Sequence, residues 1–204
     1  MTRDRKLLVE GTDDQHVIWG LMKAREFPET FAVEAKGGVE NLLRVFPVQA
    51  KGSGIKAVGV VIDADVDLAR RWDSIRSILS GLGYDPPVSI PGDGVILEAN
   101  AMPRVGVWIM PDNSLSGMLE DFVGYLVPSG DLLWARAEQV IADIPVELAG
   151  FTPQHLSKAL IHTWLAWQED PGTPMGLAIT KKYLDSSAVT AEPFINWLRR
   201  LFVD

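Results

Sequence analysis

"KAVGVVIDADVD", residues 56–67, decides the fold. Its apolar run is continuous and rich in β-branched residues, with no polar residue alternating through it. A strand with one wet face alternates, so an unbroken run marks a parallel strand covered by helices on both faces. The run ends on Asp63, and Asp65 and Asp67 follow at once. Working backwards, residues 5–10 read as a second buried strand, ending on Glu10. "DDQHVIWGLMKAR" then sets Val17, Ile18, Leu21 and Met22 at helical spacing, with Asp13 or Asp14 near the cap. "FAVEA" is a short strand, and "GGVENLLRVFPVQA" is a helix with Val39, Leu42, Leu43 and Phe46 on one face. Working forwards, "LARRWDSIRSILSGLGY" is a helix that stops at Gly81 or Gly83.

The resulting order, β-α-β-α-β-α, predicts an α/β fold with a parallel sheet flanked by helices. "GVILEA" and "RVGVWIMPD" add two strands, as a hairpin or an extension of the sheet edge. From about residue 115 the pattern is helical: residues 116–127, 131–144, 152–168 (with Thr152 at the cap and Pro153 first in the helix) and 191–202. Residues 169–176 read as a turn-rich connection. The expected organisation is an α/β core over residues 1–127 and a helical appendage over 128–204. Leu156, Leu160, Trp164 and Trp167 give that appendage an apolar stripe to bury against the core.

Composition sets limits. The chain has 204 residues, of which 47% are apolar, enough to bury a core without staples. There is no cysteine, which excludes disulfides, thiolate metal sites and cysteine nucleophiles and fits a reducing cytoplasm. The first residues lack the apolar segment of a secretory signal, and no apolar run reaches the roughly 18 residues of a membrane span. The expectation is a cytoplasmic protein with no membrane partner. Acids outnumber bases by 27 to 19, for a formal charge of −8. That balance argues against a simple electrostatic nucleic-acid binder.

The acids are placed suggestively. In open parallel sheets, ligands sit beyond the carboxyl ends of the strands. Glu10 ends the first strand and Asp63 the third, with Asp65 close behind. If those strands are neighbours, the acids converge and repel, so they need a cation or shared protons. Hard oxygen donors suit magnesium, manganese or calcium. Helix capping accounts for Asp14 and Asp67, but poorly for Glu10 and Asp63, which end apolar runs. An EF-hand reading of "DADVD" fails, because Leu68 and Ser74 stand where that loop needs glycine and glutamate.

"VEGTDD", followed some fifty residues later by "VVIDADVD", resembles the Toprim domain of topoisomerases, primases, recombination-associated proteins and OLD-family nucleases. Glu10 matches that pattern's glutamate, and Asp63 and Asp65 match its D-x-D. "EGTDD" is similar to the E-G-x-x-D form of the OLD-like branch, which places its aspartate on Asp14. "GVWIMPDNSLSGMLEDFV" looks like a segment of small bacterial Toprim-like proteins of that branch. The resemblance spans roughly residues 5–127. It implies a divalent cation, Mg2+ or Mn2+, held by Glu10, Asp63 and Asp65 with Asp14 in support. Glu120 and Asp121 are candidates for a second metal position. The implied activity is phosphodiester cleavage or transfer on DNA or RNA.

Two departures qualify that implication. OLD-family nucleases carry an ATPase domain, and this chain has no G-x-x-x-x-G-K-[ST] element; "AKGSGIKAV" lacks its spacing. The protein would then act without its own ATPase, act with a separate ATPase or other subunit, or not be a nuclease; a homodimer is a separate expectation about partners. The second departure is the low basic content, which opposes strong DNA affinity; phosphate charge would then be offset by tail lysines, with Lys158, Lys181 and Lys182 as candidates. A rival reading is a dehalogenase-like phosphatase with Asp63 as nucleophile and Asp65 as acid, although its motif belongs on a first strand and leaves Glu10 idle. Another is a non-catalytic Toprim-like subunit that binds metal or nucleotide and regulates a partner. His16, His155 and His162 are scattered without metal-ligand spacing. Trp164, Trp167 and Trp197 read as packing residues. Asp112 and Asn113 form a turn beside the candidate site, and Ser114 and Ser116 have no evident histidine partner.

Overall fold

The computed structural model describes residues 4–204; residues 1–3 of the expected 1–127 core lie outside that range. Five strands, β1 (Arg5–Val9), β2 (Ala32–Ala35), β3 (Ala57–Asp63), β4 (Val95–Leu97) and β5 (Arg104–Met110), form one sheet in the order β2-β1-β3-β5-β4. The first four in that order run parallel, and β4 closes the edge antiparallel to β5. The fold is thus α/β with a mostly parallel sheet flanked by helices, as predicted. β3 and β5 are buried almost throughout, which is why their sequences do not alternate.

Helices cover both faces. On one lie α2 (Val39–Ala50) and α3 (Leu68–Leu82), packed on Leu8, Val58, Val60 and Ile62. Gly83, at φ 96, ends α3. On the other lie α1 (Thr12–Ala24) and the later helices α4 (Leu119–Gly124), α5 (Leu132–Ala142), α6 (Leu156–Ala166), α7 (Met175–Thr180) and α8 (Glu192–Phe202). Leu7, Val9, Val61 and Trp108 share one apolar cluster with Trp164, Phe194, Trp197 and Phe202, so the C-terminal helices complete the core. α8 lies against the sheet over Gly59 and Gly106, which pair across β3 and β5. A Cβ on either would come within 2.9 or 2.5 Å of Leu201.

Two expectations about the tail need correction. The buried face of α6 is Ile161, Trp164 and Leu165, whereas Leu156 and Trp167 are exposed. The helix is shorter than predicted, following a 3-10 turn at Pro153–His155, and Leu156 at its first position and Trp167 at its C-cap lie at its exposed ends. Residues 169–176 are not all turn, since α7 begins at Met175. No helix among the described residues is long and apolar enough to cross a membrane.

Candidate functional site

The order β2-β1-β3 reverses the chain's direction of travel across the sheet between β1 and β3. Such a switch point opens a crevice at the strands' carboxyl ends. Glu10 follows β1 there, and Asp63 ends the neighbouring β3. They touch: the Glu10 carboxylate accepts the Asp63 N–H at 2.9 Å. Beyond β5, the loop back to α4 is tied to the loop after β3 by two backbone hydrogen bonds, each 2.8 Å, between Asp65 and Gly117. That tie brings the start of α4, and Glu120, to the same crevice.

The result is an open cleft of about 490 Å³. Its walls carry Glu10, Asp14, Asp63 and Glu120, with Gly37 and Gly38 on one side and His155 and Lys158 on another. α1, α2 and α4 all begin at its rim. Helix N-termini favour negative charge, and this accounts for part of the gathering of acids. Asp14 accepts the Gly11 N–H at 2.9 Å, and Asp121 accepts the Met118 N–H at 2.8 Å, each as an acid in the first turn.

Capping leaves a remainder. Asp14 is only 6% exposed, and its Oδ1 has no hydrogen-bond partner. Oδ1 of Asp63 is likewise buried and unpartnered. Burial, together with the charges of Asp14, Glu10 and Glu120, pushes Asp63 up to about 9. Burial and the neighbouring Glu10 and Glu120 push Asp14 up to about 7, and burial raises Glu10. Glu120, 6% exposed, is neutralised by the Lys158 ammonium at 3.0 Å, whose own pKa that hydrogen bond raises.

Of the residues singled out from sequence, Glu10, Asp13, Asp14, Asp63, Glu120 and Lys158 line this cleft. Asp65 does not. A D-x-D on a continuing strand would turn both carboxylates to one face, but β3 ends at Asp63 and Asp65 adopts φ 55, in the left-handed region. Its carboxylate instead accepts from Arg71 at 2.6 Å, and the Arg71 Nε donates to the Asp63 carbonyl at 2.8 Å. Asp121 is occupied as a cap and by the Ser157 hydroxyl at 3.2 Å. Lys181 pairs with Asp170 and does not line the cleft, and neither does Lys182. Asp112 accepts from Ser114, Leu115 and Tyr125, and the buried Asn113 holds the Ile109 N–H, so both brace the loop. His155, set aside in the sequence for want of metal-ligand spacing, and the Gly37–Gly38 pair, read there only as the start of a helix, also line the cleft. Gly-Gly before a helix was their only local signal.

Among the described residues, no three Asp, Glu or His side chains already close into a metal cage. The donor chemistry nevertheless fits a hard divalent cation: five carboxylates line one cleft, Asp13 among them, and two of the five have buried oxygens lacking partners. No curated protein and no solved structure matches the chain. A family model does match, over residues 4–203, and by it the chain belongs to the family described as a protein of unknown function, DUF3226.

Proposed function

We propose that this chain is a Toprim-type, Mg2+- or Mn2+-dependent protein that cleaves or transfers phosphodiesters in DNA or RNA. The observation that carries the reading is the pair of buried, unpartnered carboxylate oxygens on Asp14 and Asp63, at the switch point of a parallel sheet. Burying carboxylates without partners costs stability, and a cation on Glu10, Asp14, Asp63 and Glu120 would remove that cost. When bound, such a cation supplies charge neutralisation at the phosphoryl oxygens and an acidified water. The chain's own groups do the rest. The Asp63 N–H fixes the Glu10 carboxylate. Arg71 holds the turn after β3 through the Asp63 carbonyl and Asp65. The half-exposed Lys158 ammonium is within reach of the cleft to offset phosphate charge. The phosphatase alternative is weaker, because its acid would be Asp65, which faces Arg71 instead of the cleft.

The charge of −8 favours one second reading, a metal- or nucleotide-binding partner subunit whose nucleic-acid surface comes from a separate ATPase or other protein. The deciding experiment incubates purified protein with Mn2+ and supercoiled or single-stranded substrates at low salt. Nicking that disappears in Asp63→Asn supports the enzyme. Cutting that survives in Asp63→Asn assigns it elsewhere. No cutting with either ion, alongside measurable Mg2+ binding, selects the partner subunit.

A further inference from the structure

The three helices that start at the cleft are not capped alike. In α1 and α4 an acid of the first turn accepts the N–H of the residue before the helix, Gly11 and Met118 respectively. At α2 no acid does this: the Gly38 N–H donates to the Glu10 carbonyl at 2.9 Å, and the helix starts without a side-chain cap. Its first helical hydrogen bond runs from the Leu42 N–H to the Gly38 carbonyl, so the N–H groups of Val39, Glu40 and Asn41 precede the ladder. Gly37 and Gly38, at φ 75 and 113, have nothing within 4 Å of where a Cβ would stand, so the approach to this helix end is open.

A free helix end is not by itself a site. The second observation is on the same cleft: Asp14, 6% exposed, with its Oδ1 unpartnered. That oxygen demands a cation. Once a cation sits on the acids, the cleft has two positive poles, the ion and the amino end of α2, and an anion fits between them. Without the cation, Glu10, Asp14 and Asp63 repel the same anion. We propose that the start of α2, Gly37 to Glu40, is the seat of the substrate's phosphoryl group, filled only together with a divalent cation. The inference rests on the metal-dependent reading above and adds to it where the phosphoryl oxygens lie and what holds them. Exposed Glu40, in the first turn of α2, opposes the incoming charge.

Isothermal titration calorimetry of Mg2+, with and without inorganic phosphate, tests this. Coupling between two ligands is reciprocal, so phosphate should tighten Mg2+ binding to the native chain by about 5-fold or more. Val39→Pro deletes one N–H at the first helical position, where proline is tolerated; Val39→Ala trims the same side chain and keeps the N–H. The coupling should fall in the first and persist in the second. Glu40→Gln should strengthen it, and this variant removes no backbone group. A dinucleotide, whose single phosphate is a diester, replaces inorganic phosphate in a parallel arm. Coupling there assigns the seat to a backbone phosphodiester, and coupling with phosphate alone assigns it to a terminal phosphate. Mg2+ binding that ignores both ligands overturns the seat and leaves the metal reading standing. Equal coupling in Val39→Pro and Val39→Ala, with Glu40→Gln unchanged, also overturns the seat. Absence of Mg2+ binding overturns both.

Discussion

Two clefts flank the end of β3, and both are lined with acids. In one, Asp14 and Asp63 each keep a buried oxygen without a partner. In the other, of about 390 Å³, Asp65 is paired with Arg71 at 2.6 Å, and Asp67 caps α3 by accepting the Arg70 N–H at 2.9 Å. Asp63 and Asp65 are two residues apart in sequence and belong to opposite categories. Carboxylates that have found partners hold the loop in shape. Carboxylates that are buried without partners are held in an unfavourable state by the rest of the fold, as expected where a ligand supplies the missing interaction.

The largest expected difference is in function. Asp63→Asn and Glu10→Gln should reduce Mn2+-dependent cleavage by more than the roughly 10- to 100-fold typical of losing a residue that only supports a metal ligand. Asp65→Asn should stay within that range, since it loosens Arg71 without emptying the cleft. Initial rates on one labelled substrate, measured for all three, make the comparison. An Asp65→Asn loss equal to that of Asp63→Asn would erase the distinction between the clefts.

The next difference is in the pH dependence of stability without divalent ions. Asp63 and Asp14 rise to about 9 and about 7 in the fold, from an ordinary aspartate value near 4 when unfolded. Between those limits the folded chain holds protons that the unfolded chain has released. Stability therefore falls as pH rises, by up to about 1.4 kcal/mol per pH unit for each group. Metal-free protein should melt at a higher temperature at pH 5.5 than at pH 8, and saturating Mg2+ should shrink the difference. Asp63→Asn should flatten the slope, and Asp65→Asn should not. A rising slope in chelator would contradict the buried-acid account.

How legible was this in the sequence? The parallel core was, because β3 and β5 are apolar without alternation and acids mark where β1 and β3 end. Convergence of Glu10 and Asp63 followed from that topology, whereas Asp14 and Glu120 were pointed to only by the resemblance. The parting of Asp63 and Asp65 was not legible, since it depends on one residue entering the left-handed region, where aspartate is tolerated but not required. α7 was hidden by its six residues and the turn signals before it. Its packing did leave a trace in one glycine within a helical pattern, Gly20, where a Cβ would lie 2.6 Å from the Gly176 carbonyl; a Cβ on Gly176 would lie 2.4 Å from the His16 carbonyl. His155 and Lys158 reach the cleft only because the tail folds back over the sheet, a long-range arrangement that local spacing does not encode.

A smaller effect separates the two aspartates in stability. At pH 8 without metal, Asp63→Asn removes a carboxyl group that folding must protonate and bury, so the variant should be more stable than the native chain by at least about 1–3 kcal/mol, the scale of an unsatisfied buried group. Asp65→Asn breaks an ion pair whose aspartate side chain is 38% exposed, and should cost less than about 1 kcal/mol. Opposite signs in urea denaturation midpoints at pH 8 are the expected result. Destabilisation by Asp63→Asn would mean that its carboxylate already has a partner.

The smallest effect concerns Lys158, the cation that the fold itself brings to the acidic cleft. Its ammonium lies 3.0 Å from buried Glu120, while half of its own side chain is in solvent. Exposure of the ammonium screens the pair and glutamine keeps a donor for the buried Glu120, so Lys158→Gln should cost only about 1 kcal/mol in thermal unfolding. The same substitution removes a competitor for the Glu120 carboxylate. A divalent ion approaching Glu120 no longer has to displace an ammonium, and Mg2+ should bind a few-fold more tightly, about the factor of 5 that 1 kcal/mol represents. Cleavage should nonetheless slow, because the phosphate loses a positive neighbour. Tighter metal binding with slower turnover separates this role from a purely structural one, which would weaken both. If Mg2+ affinity is unchanged in Lys158→Gln, Glu120 is not among the cation's ligands, and the paired category extends to one wall of the cleft that otherwise holds the unpaired acids.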